Sequence, residues 1–553
     1  MQRSLFALLL VPLVACTTRS DFPRQADDDS ADDDDLTFPQ DDDDSATDDD
    51  DDDDDDDAAT DQDGDGYPAG VDCDDADPNV HPGAAEICNN QTDDDCSGDA
   101  PQCRWSGVVG LNNAFARLDG ATGDQLGAIG QAEDLTGDGV VELVLSAPRA
   151  DTGDNGSVFV VPTPLLPGAA SVASVASSRI DGALQGEQLG SGLFIADLDD
   201  DGALDLALGA TGADFAGVDS GALYIFFGPP TAGLTTTSTA DLIIDGDTLQ
   251  GGLGGGSTRA CDLNGDRVHD LVQRASRASP LGRSEAGAVY VWYGPIGATD
   301  SIASADAQIF GAASGDQLGA EFSCHGDLDG DGDDDLAIGA QLGGSVGGGA
   351  VYVLYDTPQG LIDLAVTPVG ATITATAPDD RLGWTTSIVP DTDVDGTDDL
   401  MVGARTSDLG GEDTGAAWLF TGTPTGDLTT DDAQAAFSGV GIDDRAGQWA
   451  SSLGDLDGDG YVDFAIGARR SDLGGTDSGA TYIVYGPVAA GLSLDDADAV
   501  LIGDGSGIGS STFVHVTPDI TGDAAPDLLI GASLADFGGQ DAGAVYIVQG
   551  LGY

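Results

Sequence analysis

Short apolar runs of four to six residues, each closed off by glycine and aspartate, recur along most of this chain. Leu206-Ala-Leu-Gly209-Ala210, Leu336-Ala-Ile-Gly339-Ala340 and Phe464-Ala-Ile-Gly467-Ala468 are examples. Runs this short, bounded by turn formers, predict strands and not helices. A second kind of run, Gly-Ala-x-aromatic-aliphatic, begins at Gly156 (as Gly-Ser), Gly221, Gly287, Gly349, Gly415, Gly479 and Gly543. Directly ahead of each run of the first kind stands an acidic loop, D-x-(D/N/T)-x-D-x-x-x-(D/E). The seven copies start at Asp134, Asp197, Asp262, Asp327, Asp391, Asp455 and Asp519, at intervals of 63, 65, 65, 64, 64 and 64 residues. A fixed period of this length marks one supersecondary unit repeated side by side, and seven units fill Ser106 to Tyr553.

The acidic loop is expected to be a hairpin connection whose side chains at positions 1, 3, 5 and 9 converge, with a backbone carbonyl from position 7, on one cation. An all-oxygen cage of irregular shape suits calcium better than magnesium. An EF-hand would need helical periodicity on both sides and a glutamate at position 12, and neither is present. Four loops are complete: Asp197, Asp199, Asp201 and Asp205; Asp327, Asp329, Asp331 and Asp335; Asp391, Asp393, Asp395 and Asp399; Asp455, Asp457, Asp459 and Asp463. Three depart from the pattern and are expected to be weaker or empty. The first is Asp134, Thr136, Asp138 and Glu142; the third is Asp262, Asn264, Asp266 and Asp270, with Arg267 at the usual glycine position; the seventh is Asp519, Thr521, Asp523 and Asp527, with Ala524 there.

Upstream of the loops lies Gly-(D/E)-Gln-Leu-Gly, intact at Gly123, Gly186 and Gly315 and degraded elsewhere. Together these motifs resemble FG-GAP repeats, the units of the integrin alpha-chain head. The resemblance implies an all-β, seven-bladed β-propeller of four-stranded antiparallel blades. The last unit stops after a third-strand pattern, while Asn113-Ala-Phe-Ala-Arg-Leu118 is an orphan stretch at the other end. Pairing the two would close the ring and remove an exposed sheet edge. Tyr224, Phe226, Tyr290, Tyr352 and Tyr482 fall in strand patterns and are expected in the core between blades.

Charge changes the picture of what the array meets. The 553 residues carry a formal charge of -83, and all 17 basic residues are arginine. Nucleic acid and anionic membranes are repelled, and divalent cations concentrated. Residues 1–15 read as an export signal, and Leu13-Val14-Ala15-Cys16 looks like a bacterial lipobox, so Cys16 is expected to carry a lipid anchor at the outer membrane or cell surface. Residues 16–60 are expected to form an acidic linker; 22 aspartates in residues 21–57 prevent burial of enough apolar surface to order it. Extended, that tract would reach roughly 120 Å at about 3.3 Å per residue.

Residues 61–105 form a separate small module. Asp61, Asp63, Asp65 and Asp72 have the spacing of a calcium loop. Beyond them, Asp72-Cys73-Asp74-Asp75 through Cys88, and Asp93-Asp94-Asp95-Cys96, resemble the metal-binding motif of MopE-like bacterial surface proteins. That resemblance brings in copper, with His81 as a conceivable ligand, and another divalent metal in this module is the alternative to calcium. Cys73, Cys88, Cys96 and Cys103 allow two disulfides in three connectivities, or a thiolate site. Cys261 and Cys324, in adjacent units, are expected as a disulfide or as two buried thiols.

No nucleophile elbow, phosphate loop or zinc-protease motif occurs. The four histidines are His81, His269, His325 and His515. The chain is therefore expected to be a monomeric, non-catalytic surface protein whose propeller binds a protein or matrix ligand. The alternative is a carbohydrate-binding or polysaccharide-acting propeller, for which Trp384 and Trp449 are the tryptophans to test.

Overall fold

The computed structural model describes residues 61–550, apart from 69–70, 75, 83, 85–95, 97–103, 231–232, 247–250, 258, 298–300, 489, 506 and 524. Cys16, the aspartate tract, Cys88 and Cys103 lie outside the described residues. The repeats form seven separate sheets around one axis. In the second, Leu189–Ala196, Asp205–Ala210, Ala222–Phe226 and Leu242–Asp245 follow one another antiparallel from the axis outward. The acidic loop joins the first strand to the second, as expected of a hairpin.

Each blade has the four antiparallel strands implied by the resemblance and one short parallel strand besides. In six blades this fifth strand lies on the outer edge, as Gly233–Thr236 does beside Ser178–Asp181. Among the described residues the second blade shows a two-residue strand, Gly256–Ser257, on its inner edge and a single parallel bridge, Asp245 to Ser301, on its outer edge. Covering the outer edge occupies backbone groups that would otherwise template aggregation.

The ring is closed by the N-terminal strand. Ala116–Asp119 pairs antiparallel with Ala544–Val548, with Leu118 opposite Val545. Just before it, Gly107–Gly110 adds parallel to Ala499–Ile502 of the sixth blade. Seven hydrophobic clusters follow, one between each pair of neighbouring blades, including the last and the first. Tyr224, Phe226, Tyr290, Tyr352 and Tyr482 are all buried in them. The recurring glycine of the Gly-Ala-x-aromatic run marks the junction. Gly221 has φ +79, and a Cβ there would lie 2.1 Å from the Leu253 carbonyl of the next blade. The position needs both the left-handed backbone and the missing side chain. Cys261 and Cys324 form a disulfide that staples blades three and four.

Candidate metal loops and axial cavity

The acidic loops share one internal hydrogen-bond pattern. The position-1 carboxylate accepts the backbone N–H of position 6 in all six loops whose position 6 is among the described residues: Gly139 to Asp134, Gly202 to Asp197, Arg267 to Asp262, Gly332 to Asp327, Gly396 to Asp391 and Gly460 to Asp455, at 2.7 to 3.0 Å. The third loop keeps this turn without glycine, Arg267 adopting φ 68. The position-9 carboxylate is buried at the start of the second strand and accepts the position-2 N–H, as Asp205 does from Leu198 (2.8 Å) and Asp527 from Ile520 (2.8 Å). Its other oxygen accepts an N–H from beyond the third strand: Gly228 to Asp205, Gly294 to Asp270, Gly422 to Asp399, Gly486 to Asp463 and Gly550 to Asp527, at 2.7 to 3.0 Å. Blade four has Asp356 at that place after Tyr355, and Asp335 Oδ1 is buried without a hydrogen-bond partner.

These turns aim carboxylates at one another. Oxygens of Asp197, Asp199 and Asp205, of Asp327, Asp329 and Asp335, and of Asp391, Asp393 and Asp399 lie within 4.8 Å in each set. Asp199 Oδ1, like Asp335 Oδ1, is buried and unpartnered. Burial, then the neighbouring carboxylates, push Asp335 up to about 8 and Asp270 to about 7, against the backbone N–H bonds that lower them. Repelling, desolvated oxygens with spare lone pairs fit a hard cation. Adjacent loops are also linked: Asp262 N–H donates to Asp334 Oδ2 (2.9 Å) and Asp327 N–H to Asp398 Oδ2 (3.0 Å).

Comparison with known proteins fits this geometry. The FG-GAP repeat profile matches residues 321–354, 447–484 and 512–548. The chain carries FG-GAP repeats. A second profile, described as "Putative metal-binding motif" of the MopE type, matches residues 72–100. Integrin alpha-4 of Xenopus laevis is 33% identical over 166 residues, covering 29% of this chain and 15% of that protein. Integrin alpha-PS2 of Drosophila melanogaster is 29% identical over 223 residues, 38% and 15%. Phosphatidylinositol-glycan-specific phospholipase D of Rattus norvegicus is 32% identical over 193 residues, 32% and 22%. The matched regions thus span less than a quarter of each of these relatives.

In the module ahead of the FG-GAP propeller, Asp61, Asp63 and Asp65 face one another, and Asp63 Oδ2, Asp65 Oδ2 and Asp72 Oδ2 are buried and unpartnered. Asp61 accepts the N–H of Gly64 (2.7 Å) and Gly66 (3.0 Å), the same turn as in the propeller loops. These oxygens fit a hard cation. Cys73 and Cys96 form a disulfide, so neither offers a thiolate. His81 stacks on Tyr67 at 4.8 Å between ring centroids.

The sixth loop has a further feature beside its four aspartates. The Arg104 guanidinium stands in it, Nη2 2.6 Å from Asp459 Oδ2 and Nε against Asp457 Oδ2. Arg104 also lies over the Tyr485 ring, whose hydroxyl accepts the Trp105 N–H at 2.8 Å. The guanidinium gives these carboxylates a positive partner from the chain itself.

At the axis every blade contributes to a cavity of about 420 Å³. Trp384 and Trp449 both line it, as do His325 and His515. Arg274 is enclosed beside it, donating to the carbonyls of Gly255 (2.6 Å), Gly319 (2.7 Å) and Ala320. Sequence reading missed Arg104, Asp334 and Asp398 because each acts on a loop of another unit.

Proposed function

We propose that this FG-GAP propeller is a non-catalytic surface interaction protein. Calcium ions tie its hairpin loops, and the opposite face, where the second and third strands turn, binds a protein or matrix ligand. The observation that supports this most is the separation of roles within each blade: carboxylates converge at the turn from the first strand to the second, while all seven blades line an axial cavity that carries Trp384 and Trp449. The likeness to integrin alpha chains supports an adhesion or interaction role. Fold alone does not carry function, so the proposal rests on these loops and this cavity.

Further parts of the reading are the lipid anchor on Cys16, display at the outer membrane or cell surface, residues 16–60 as an acidic spacer, and residues 61–105 as a divalent-metal module. Among the described residues no helix is long and apolar enough to cross a membrane. A carbohydrate ligand is the second reading, favoured by the two tryptophans on the axial cavity. The test is adhesion of the full chain to immobilised matrix proteins and polysaccharides with calcium and with chelator. Calcium-dependent retention supports the proposal, and equal retention in chelator removes calcium from it.

A further inference from the structure

We propose that the arginine-rimmed mouth of the axial cavity binds a carboxylate-bearing saccharide, an oligouronate in chemical class. The inference rests on the interaction role above and names its ligand.

Two positions in each blade meet at the end of the strands away from the acidic loops: the residue before the first strand and the residue after the second. In blade two Thr211 Oγ1 donates to Gln188 Oε1 at 3.2 Å, and in blade four Gln341 Nε2 donates to Gln317 Oε1 at 2.9 Å. Blades five and six put arginine at both positions, Arg381 with Arg405 and Arg445 with Arg469, and Arg470 adds a fifth. Five of the 17 basic residues of a chain with 100 acidic ones are thus gathered at one place.

Their charges are poorly matched. Asp443 pairs with Arg445 (2.9 Å) and Arg470 (2.5 Å), and Asp477 pairs with Arg470 (3.1 Å). Among the described residues Arg381, Arg405 and Arg469 make no ion pair. The Nε atoms of Arg405 and Arg469 are buried without an acceptor. Burial and the four neighbouring arginines lower Arg405 to about 10, which leaves it cationic at neutral pH. Facing like charges and unanswered buried donors are unfavourable for the fold alone, and a multivalent anion would satisfy both. Guanidinium groups in pairs suit carboxylates, which they bind through parallel N–H bonds.

The arginine cluster meets the cavity wall at Trp384. Ser276 and Gln341, which hold the second of these positions in blades three and four, line it, and so does Trp384, over which the Arg405 guanidinium sits at 3.4 Å. Inside, Gln448, Trp449 and Thr385 offer amide, aromatic and hydroxyl groups, and Trp449 Nε1 is unpartnered. Aromatic faces and neutral hydrogen-bonding groups match sugar rings. An acidic sugar chain satisfies rim and cavity together, whereas a run of aspartates satisfies only the rim.

The test is calorimetric titration of the full chain with trigalacturonate, maltotriose and an oligo-aspartate peptide at one fixed calcium concentration. R381Q/R405Q and R445Q/R469Q are run in parallel. These changes install the Gln–Gln pair that blade four already carries, so melting temperature should hold, and they leave the acidic loops intact. The expected result is trigalacturonate binding that weakens at least about tenfold in either variant, with maltotriose at least about tenfold weaker on the unmodified chain. The proposal is overturned by no trigalacturonate binding, by equal binding in the variants (as calcium bridging to the acidic loops would give), or by oligo-aspartate binding as tightly as trigalacturonate. Calcium-dependent matrix adhesion that persists while trigalacturonate fails to bind would leave the interaction role standing and sink this site.

Discussion

Arg104 and Asp457, 353 positions apart in sequence, form an ion pair inside the sixth acidic loop, with the Asp457 side chain 1% and the Arg104 side chain 29% exposed. The guanidinium supplies the positive charge that an ion would otherwise bring, and it fastens the segment leading from the small module onto blade six. Replacing Arg104 with alanine leaves Asp457 buried and uncompensated. In chelator the variant should be destabilised by roughly 1–3 kcal/mol, less than the loss typical of a fully buried pair because Arg104 keeps some water. With calcium the variant should bind one ion more than the unmodified chain. Equal stoichiometry by calorimetry would mean that the guanidinium does not exclude the ion.

The position-9 carboxylates predict an unusual pH dependence for the ion-free protein. Burial raises Asp335 to about 8 and Asp270 to about 7 in the folded chain, against about 3.9 unfolded. Between these limits the folded state holds protons that the unfolded state has released. Stability in chelator should therefore fall as pH rises from about 4 through about 8. Saturating calcium replaces those protons and should remove the fall. Urea midpoints near pH 5 and pH 8, with chelator and with calcium, check this; parallel profiles in the two conditions would separate the ions from these carboxylates.

The seven blades were legible because each repeat states the same local rule: an Asp-rich turn, a short apolar strand and a glycine that no other residue can replace. Closure was legible from a third-strand pattern at one end and Asn113 to Leu118 at the other. What the sequence hid are contacts between units. Arg104 reaches its carboxylates only once the ring is closed, and Asp334 and Asp398 look like spare acids until the neighbouring loop lies beside them. Arg381 and Arg445 were visible as departures from Gly-Asp-Gln-Leu-Gly but read as decay. Their meaning depends on Arg405 and Arg469, which only the blade geometry brings opposite. The fifth strands were missed because two to four residues of mixed polarity carry no period-2 signal.

The Cys261–Cys324 bridge joins residues separated by 63 positions. Restricting so long a loop in the unfolded chain gives roughly 4 kcal/mol in the chain-entropy account, with about 2–4 kcal/mol the usual experimental range. The double substitution C261A/C324A should lower stability within that range, read from denaturant midpoints beside a free-thiol count. An unchanged midpoint would show that packing between blades three and four holds the junction without the bridge.

Ring closure places the largest demand on one short strand. Leu118 is buried in the cluster between the last and first blades, and its backbone pairs with Val545. Truncating it to alanine removes apolar contacts from both sides of the seam without touching any acidic loop, and should cost about 2–4 kcal/mol. Deleting residues 106–120 goes further: it strips the outer strand from blade seven and the parallel edge strand from blade six, leaving two unpaired edges. That chain should melt at lower temperature and self-associate through those edges. The point variant separates the two effects, because it weakens the seam while leaving both edges paired. Lower stability with a monomeric profile is its expected behaviour in sedimentation and thermal unfolding. A deletion chain that stays monomeric and melts with the full protein would mean that the ring closes without its N-terminal strand.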